Sequence, residues 1–296
     1  MSSSFVVWLF DLLARLPLRF LHRLGTLLGW AIYLLSGRYA GRLRDNLGHA
    51  HDGMDEAELR TLLRASVAEA GRSVAELPWL WRRPLHEVLA AVRQCHGFAQ
   101  VEAACNSGKG VIFLTPHMGC FEIISLYVAA QYPLTIMYRP AKLAWLDRVM
   151  REGRQRGKVT LARTDIGGVR AMYKTLKRGE SIGLLPDQVP GNGEGEWAEF
   201  FGRQAYTMTL VGRLAESSGA TVLMSYAIRL PKGAGYDLYF EPLELTPDIP
   251  VALQINRALE KVVRTCPSQY LWSYNRYKVP AGIAAPVATD HGEGAA

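Results

Sequence analysis

Gly110-Val111-Ile112-Phe113-Leu114 runs directly into Thr115-Pro116-His117-Met118-Gly119-Cys120-Phe121-Glu122, and this junction decides how the chain is read. Val111–Leu114 is a continuous apolar run of strand length, and Ile123 to Gln131 is an amphipathic, helix-like stretch. A strand, a short loop and a helix put His117 at the carboxyl end of the strand, where open α/β sheets place their chemistry. Glu122 follows five positions later, about one and a half helical turns on, so its carboxylate is expected on the imidazole. A carboxylate on one ring nitrogen fixes the tautomer and raises the basicity of the other, which suits a general base for a hydroxyl. The competing reading makes His117 a strand-end cap and Glu122 a first-turn acid favoured by the helix dipole.

The same alternation continues outward. Strands are expected at Val111–Leu114, Leu134–Tyr138, Val159–Ala162, Ser181–Leu185 and Thr221–Arg229, with Tyr236–Phe240 as a hairpin partner. Helices are expected at Asp55–Leu80, Phe98–Ser107, Phe121–Ala130, Ala144–Arg156, Gly168–Lys177, Thr207–Ser217 and Val251–Thr265. This order predicts an α/β fold: one layered domain with a mixed, mostly parallel sheet flanked by helices, plus an N-terminal membrane-anchoring helix. The expected divisions are an anchor helix over residues 1–37, the main domain over 38–278, and a disordered tail over 279–296, rich in Ala, Gly and Pro.

The N-terminal expectation rests on Phe5 to Leu35, rich in Leu, Phe, Trp and Val but broken by Asp11, Arg15, Arg19, His22 and Arg23. Its longest uncharged run, Leu24 to Gly37, has fourteen residues, short of the roughly 20 that span a bilayer. Arg15, Arg19 and Arg23 recur every four residues and line one helical face, with Trp8, Phe20 and Trp30 opposite. That pattern fits a helix lying in the membrane interface, or a tilted anchor with snorkelling arginines; a core-packed amphipathic helix is the alternative. Arg38, Arg42 and Arg44 would hold the following chain on the cytoplasmic side.

The formal charge is +7, and it is unevenly placed. Leu134 to Glu180 carries twelve Lys and Arg against four Asp and Glu, a net +8. Such a stretch implies an anionic partner: phosphate, an acidic carrier protein or an anionic membrane. Nucleic acid is not expected, because no nucleic-acid motif or interleaved aromatic platform accompanies the charge. Cys95, Cys105, Cys120 and Cys266 lie far apart with no C-x-x-C spacing, which fits a reducing compartment. Cys120 is either a nucleophile or a small buried residue. No metal or nucleotide motif appears, so no cofactor is expected.

Six ordered segments carry a resemblance to a known family. They are His117 to Glu122; Met137-Tyr138-Arg139-Pro140; Leu161-Ala162-Arg163; Leu184-Leu185-Pro186-Asp187-Gln188; Phe200-Phe201-Gly202 followed by Thr207 and Thr209; and Gln269-Tyr270-Leu271-Trp272 before Arg276. A histidine and an acid with four residues between them, after an apolar strand, resembles the lysophospholipid and glycerolipid acyltransferase superfamily. More closely, the chain resembles the late acyltransferases of lipid A biosynthesis, the lauroyl and myristoyl transferases, from the N-terminal segment through Lys278. One departure is that family members often carry His-Arg-Arg where this chain has Tyr274-Asn275-Arg276.

The resemblance implies transfer of a fatty acyl group from acyl carrier protein to a hydroxyl of an anionic, phosphorylated glucosamine disaccharide lipid. It places that reaction at the cytoplasmic face of the inner membrane. His117 would be the base oriented by Glu122, with Arg139, Arg163, Asp187, Gln188 and Arg276 toward the acceptor and backbone N–H groups near Gly119 toward the oxyanion. Lys142, Arg148, Arg151 and Arg154 would face headgroups or the carrier protein. Alternatives are a lysophospholipid or ornithine-lipid acceptor, a lipid hydrolase using Cys120 or a hidden serine, and a non-catalytic anionic-surface binding protein.

Overall fold

The computed structural model describes residues 3–191 and 193–286. The N-terminal segment forms two helices, α1 (Ser3–Ala14) and α2 (Leu18–Leu35), rather than the single expected one. Pro17 divides them: it holds extended geometry at φ −62°, ψ 145° and opens α2 where its missing N–H costs nothing. Ser36 then accepts from the Tyr39 N–H to start α3 (Gly37–Ala50). Asp55 accepts from the Ala57 and Glu58 N–H groups to start α4 (Glu56–Ala75). The helix expected to continue to Leu80 breaks at Glu76, and α5 (Leu77–Arg82) begins with Pro78 in its first turn. A short α6 (Leu85–Leu89) follows Pro84.

The alternating region follows in chain order. It comprises β1 (Val92–His96), α7 (Phe98–Asn106), β2 (Val111–Leu114), α8 (Phe121–Ala129), β3 (Leu134–Tyr138), α9 (Ala144–Arg154) and β4 (Val159–Arg163). Then come α10 (Ile166–Lys177), β5 (Ser181–Leu184), β6 (Gly195–Phe200), β7 (Arg203–Met208), α11 (Leu210–Ser218), β8 (Thr221–Arg229), β9 (Tyr236–Pro242) and α12 (Val251–Thr265). The main sheet has seven strands in the order β1-β9-β8-β2-β5-β3-β4. β8, β2, β5, β3 and β4 run parallel, while β9 is antiparallel to β8 and β1 is parallel to β9. The expected mixed, mostly parallel sheet is the one observed.

Sequence pattern alone missed α3, α6, β1 and the β6–β7 hairpin, whose second strand takes Thr207 and Met208 from the start of the helix expected over Thr207–Ser217. β1, Val-Arg-Gln-Cys-His, is a polar edge strand with no apolar run to announce it. The hairpin turns at Phe201 (φ 47°) and Gly202 (φ 75°), the paired left-handed residues that match hairpin twist. Side chains on β2 serve both faces: Val111 and Phe113 pack with Ile123, Leu80 and Tyr236, and Ile112 and Leu114 with Leu43, Ile182 and Leu259. A strand buried on both sides reads as an unbroken apolar run for this reason.

No helix among the described residues is long and apolar enough to cross a membrane. Beyond residue 279, the Ala284 carbonyl accepts a hydrogen bond from the Trp197 indole at 3.0 Å, so the start of the expected disordered tail is docked. Residues 287–296 of that tail lie outside the described residues.

Candidate active site

β2 and β5 are parallel neighbours, and Leu114 pairs with Leu184. Three residues beyond each lie His117 and Asp187, each preceded by a proline, so the register itself brings them together. His117 Nδ1 lies 2.7 Å from Asp187 Oδ1, and Asp187 Oδ2 accepts the His117 backbone N–H at 2.8 Å. The carboxylate holds both ring and backbone, fixing the proton on Nδ1 and leaving Nε2 as the basic nitrogen. Asp187 is 2% exposed. Burial pushes its carboxyl group up, but His117's charge and hydrogen bonds, with the nearby Arg276 charge, hold it below the usual carboxylate range. The Gln188 amide nitrogen is 3.2 Å from Nε2 and donates to it, occupying the position an acceptor hydroxyl would need. The Tyr274 hydroxyl accepts the next backbone N–H, that of Val189, at 3.0 Å.

Glu122 is engaged elsewhere. Its carboxylate receives the Arg154 guanidinium through two nitrogens and the Trp81 indole N–H. The residue expected to orient His117 therefore ties α8 to α9 and α5, and the carboxylate on the imidazole is that of Asp187. A helix first turn carries its side chains outward from the axis, whereas the opposed strand end faces the imidazole directly. Arg154, assigned from sequence to the protein surface, is largely buried in this pair; burial disfavours its charge, but Glu122 raises its pKa on balance.

The remaining expected site residues divide. Arg139 and Arg163 are exposed on the rim that carries His117, Arg139 just after β3 and Arg163 as the last residue of β4; Arg163 Nε lies 3.7 Å from Asp165. Arg276 is 3% exposed and bonds the Tyr206 carbonyl, Thr207 Oγ1 and Asn256 Oδ1 at 2.8, 2.6 and 3.0 Å. It pins the β6–β7 hairpin to α12, so the expected contact with an acceptor gives way to a structural one. The Gly119 N–H, expected to face an oxyanion, donates to the Gln269 carbonyl; the Cys120 N–H donates to the Ala227 carbonyl. Cys120 is buried, and desolvation with the nearby Glu76 charge raises its thiol well above the usual range. It is a packed residue, not a poised thiolate.

Beneath the loop, an open cleft lies between α8 and the sheet. Thr115 and Phe121 line it, and the Phe121 ring sits 4.9 Å from the His117 ring. Ile124, Ile136 and Leu185 make its walls apolar, and Glu122–Arg154 also lines it. At Gly183 a Cβ would lie 3.0 Å from the Ile136 side chain, so the glycine keeps the cleft open there.

A histidine paired with a buried carboxylate thus stands beside an apolar-walled cleft at the carboxyl ends of parallel strands, where α/β enzymes carry their sites. The model of the bacterial lipid A biosynthesis acyltransferase family matches residues 1–279, and this chain belongs to that family. It is 28% identical over 285 residues to the lipid A biosynthesis lauroyltransferase of Escherichia coli (strain K12), covering 94% of this chain and 91% of that one. The lipid A biosynthesis palmitoleoyltransferase of the same strain is 26% identical, with 94% and 90% covered. A solved structure of the 1-acyl-sn-glycerophosphate (LPA) acyltransferase PlsC from Thermotoga maritima aligns at TM-score 0.37 and 13% identity, covering 85% of this chain and 97% of that one. The protein is an acyltransferase of lipid A biosynthesis.

Proposed function

We propose that this enzyme moves a fatty acyl group from acyl carrier protein to a hydroxyl of the phosphorylated lipid A precursor, with His117 as general base held by Asp187. The observation that carries the mechanism is the 2.7 Å contact between His117 Nδ1 and Asp187, beside an apolar-walled cleft. The acceptor hydroxyl displaces the Gln188 amide from Nε2 and gives its proton to that nitrogen as its oxygen attacks the thioester carbonyl. The tetrahedral intermediate collapses by breaking the C–S bond, and the departing sulfur takes the proton back from His117. Since neighbouring loop N–H groups are engaged in the protein, the displaced Gln188 amide becomes the side-chain donor available to the oxyanion. Arg139 and Arg163, exposed on the same rim, suit acceptor phosphates.

The enzyme would work at the cytoplasmic face of the inner membrane. On α2, Arg19 and Arg23 continue as a four-residue repeat into Leu27, Ala31 and Leu35, and all five positions are exposed; Arg15, expected on the same face, lies in the turn before Pro17. Leu27, Leu34 and Leu35 are 68%, 75% and 87% exposed, an apolar cluster beyond a cationic end that suits an anionic bilayer surface. Trp30, expected on a lipid face, packs against the core instead. The test is a transfer assay with acyl carrier protein thioesters and the phosphorylated disaccharide, alongside lysophosphatidic acid. Transfer to the disaccharide that is lost in His117→Ala supports the reading; transfer only to lysophosphatidic acid overturns it.

A further inference from the structure

α2 meets α4 backbone to backbone. A Cβ at Gly25 would lie 2.7 Å from Arg72 Cα, one at Gly29 would lie 2.2 Å from the Val67 carbonyl oxygen, and one at Gly71 would lie 1.9 Å from the Gly25 carbonyl oxygen. Small residues on facing turns permit such an approach, and at this distance neither helix can shift without the other. Beside the seam, His22 of α2 hydrogen-bonds Glu76 at 3.1 Å, and Thr26 Oγ1 accepts from Arg72 Nε at 3.0 Å.

Glu76, at the end of α4, leads directly to the sheet. Its carboxylate accepts from Arg229 Nε at 2.8 Å and from the Tyr236 hydroxyl at 3.0 Å. Arg229, the last residue of β8, is 3% exposed. It also donates to Glu69, to Ser73 Oγ at 3.3 Å and to the Gly119 carbonyl at 3.0 Å. Gly119 stands two residues from His117 at φ +54°, and a Cβ there would lie 1.8 Å from the Ala227 carbonyl oxygen. Its N–H donates to the Gln269 carbonyl at 3.0 Å. The Gln269 side chain in turn bridges the Arg229 N–H and carbonyl at 2.8 and 2.9 Å. An unbroken chain of buried hydrogen bonds thus links α2 to the loop that carries His117.

We propose that Arg229 is a positioning residue for the catalytic loop, and that α2, acting through His22, Glu76 and Arg229, helps to hold His117 in place rather than serving as a detachable anchor. This rests on His117 being the base. Turnover then depends on these contacts even when the substrate is dispersed in detergent and no membrane attachment is required. Displacements of about 1 Å at a reacting group cost up to roughly a hundredfold in rate, and lysine keeps the charge of Arg229 without its planar fork.

The experiment uses full-length protein purified in detergent, an acyl carrier protein thioester and acceptor in mixed micelles, well below each variant's measured Tm. Arg229→Lys is expected to lower kcat by about tenfold to a hundredfold with KM within about twofold. The apparent pKa of kcat/KM should not move, because the Asp187 contact is untouched. His22→Phe, which preserves burial while cutting the link, should lower kcat several-fold with unchanged partitioning onto anionic vesicles. If Arg229→Lys does not fold, His22→Phe carries the test. Wild-type kcat in folded His22→Phe overturns the role of α2, and wild-type kcat in folded Arg229→Lys overturns the positioning of the loop. His117→Ala is run in parallel. Undiminished transfer there sinks the base assignment itself, whereas its loss beside normal His22 and Arg229 variants sinks only this inference.

Discussion

At the scale of single residues, two carboxylates near one loop have separable roles. Asp187 touches the imidazole and Glu122 does not, so their substitutions should fail in different ways. His117→Ala should lower kcat by about 10²- to 10⁴-fold, the usual range for loss of a general base. Asp187→Asn should approach that loss, because an amide can present its N–H to Nδ1 and stabilise the wrong tautomer. Steady-state kinetics on folded protein checks both. Glu122→Gln should instead leave Arg154 buried without its full partner, costing about 3–5 kcal/mol of stability, read as a lower Tm. A Glu122→Gln variant with unchanged Tm and a kcat as low as that of Asp187→Asn would reverse the assignment. Cys120→Ser should remain active, which separates acyl transfer through His117 from hydrolysis through a thiolate. His117 was legible in the sequence because an apolar strand followed by a short loop announces a strand end. Asp187 was legible as a rim residue, but its contact was not, since that depends on β5 lying beside β2.

At the scale of elements, α2 has two faces with different work. Its outward leucines are expected to bind lipid: Leu27→Glu with Leu35→Glu should sharply reduce sedimentation with anionic vesicles while leaving kcat in detergent near wild type. Unchanged sedimentation would move the membrane contact elsewhere on the molecule. The inward face depends on Glu76. Burial would raise this carboxyl group, but Arg229 and then His22 bring it down from 4.5 to about 2. A group whose pKa is depressed by folding stabilises the native state above its unfolded value and loses that contribution as pH falls through the folded one. Stability should therefore decline between pH 4.5 and about 2. Denaturant melts across that range check it, and the Glu76-dependent part of the decline should be absent in folded Glu76→Gln. The amphipathic character of this helix could be read from arginine spacing. Its separation from α1 at Pro17 and its glycine seam with α4 could not, because spacing within one helix does not state what it packs against.

At the scale of the whole molecule, the cleft and the basic rim are assembled from distant segments. Gly183 lines the cleft against Ile136, so Gly183→Val should favour shorter acyl chains, measured as the ratio of kcat/KM across carrier-protein thioesters. A pocket that loses one or two methylenes of depth discriminates by about 10- to 200-fold per methylene; an unchanged ratio would show that the chain lies elsewhere. Among the cations, Arg148→Glu with Arg151→Glu should raise the apparent KM for the carrier protein or membranes mainly at low salt. Arg139→Lys and Arg163→Lys should impair transfer at every salt concentration, since exposed attractions are screened over about 10 Å at 0.1 M while bidentate contacts suffer less. A salt series over all three variants separates the roles.

The sequence by itself determined the strand–loop–helix unit that carries His117, the order of the βα units along the chain and the family, because each is a local pattern: an apolar run, a helical period, a motif of adjacent residues. Tertiary structure alone decided which carboxylate meets His117, that Arg276 is buried and Arg154 half-buried while Arg139 and Arg163 are exposed, and that α2 reaches the loop of His117 through Arg229. Those outcomes depend on strand order, register and helix contact between segments tens to more than a hundred residues apart. Identical residue types at identical spacing would satisfy several such arrangements. Packing selects among them by pairing the buried charges.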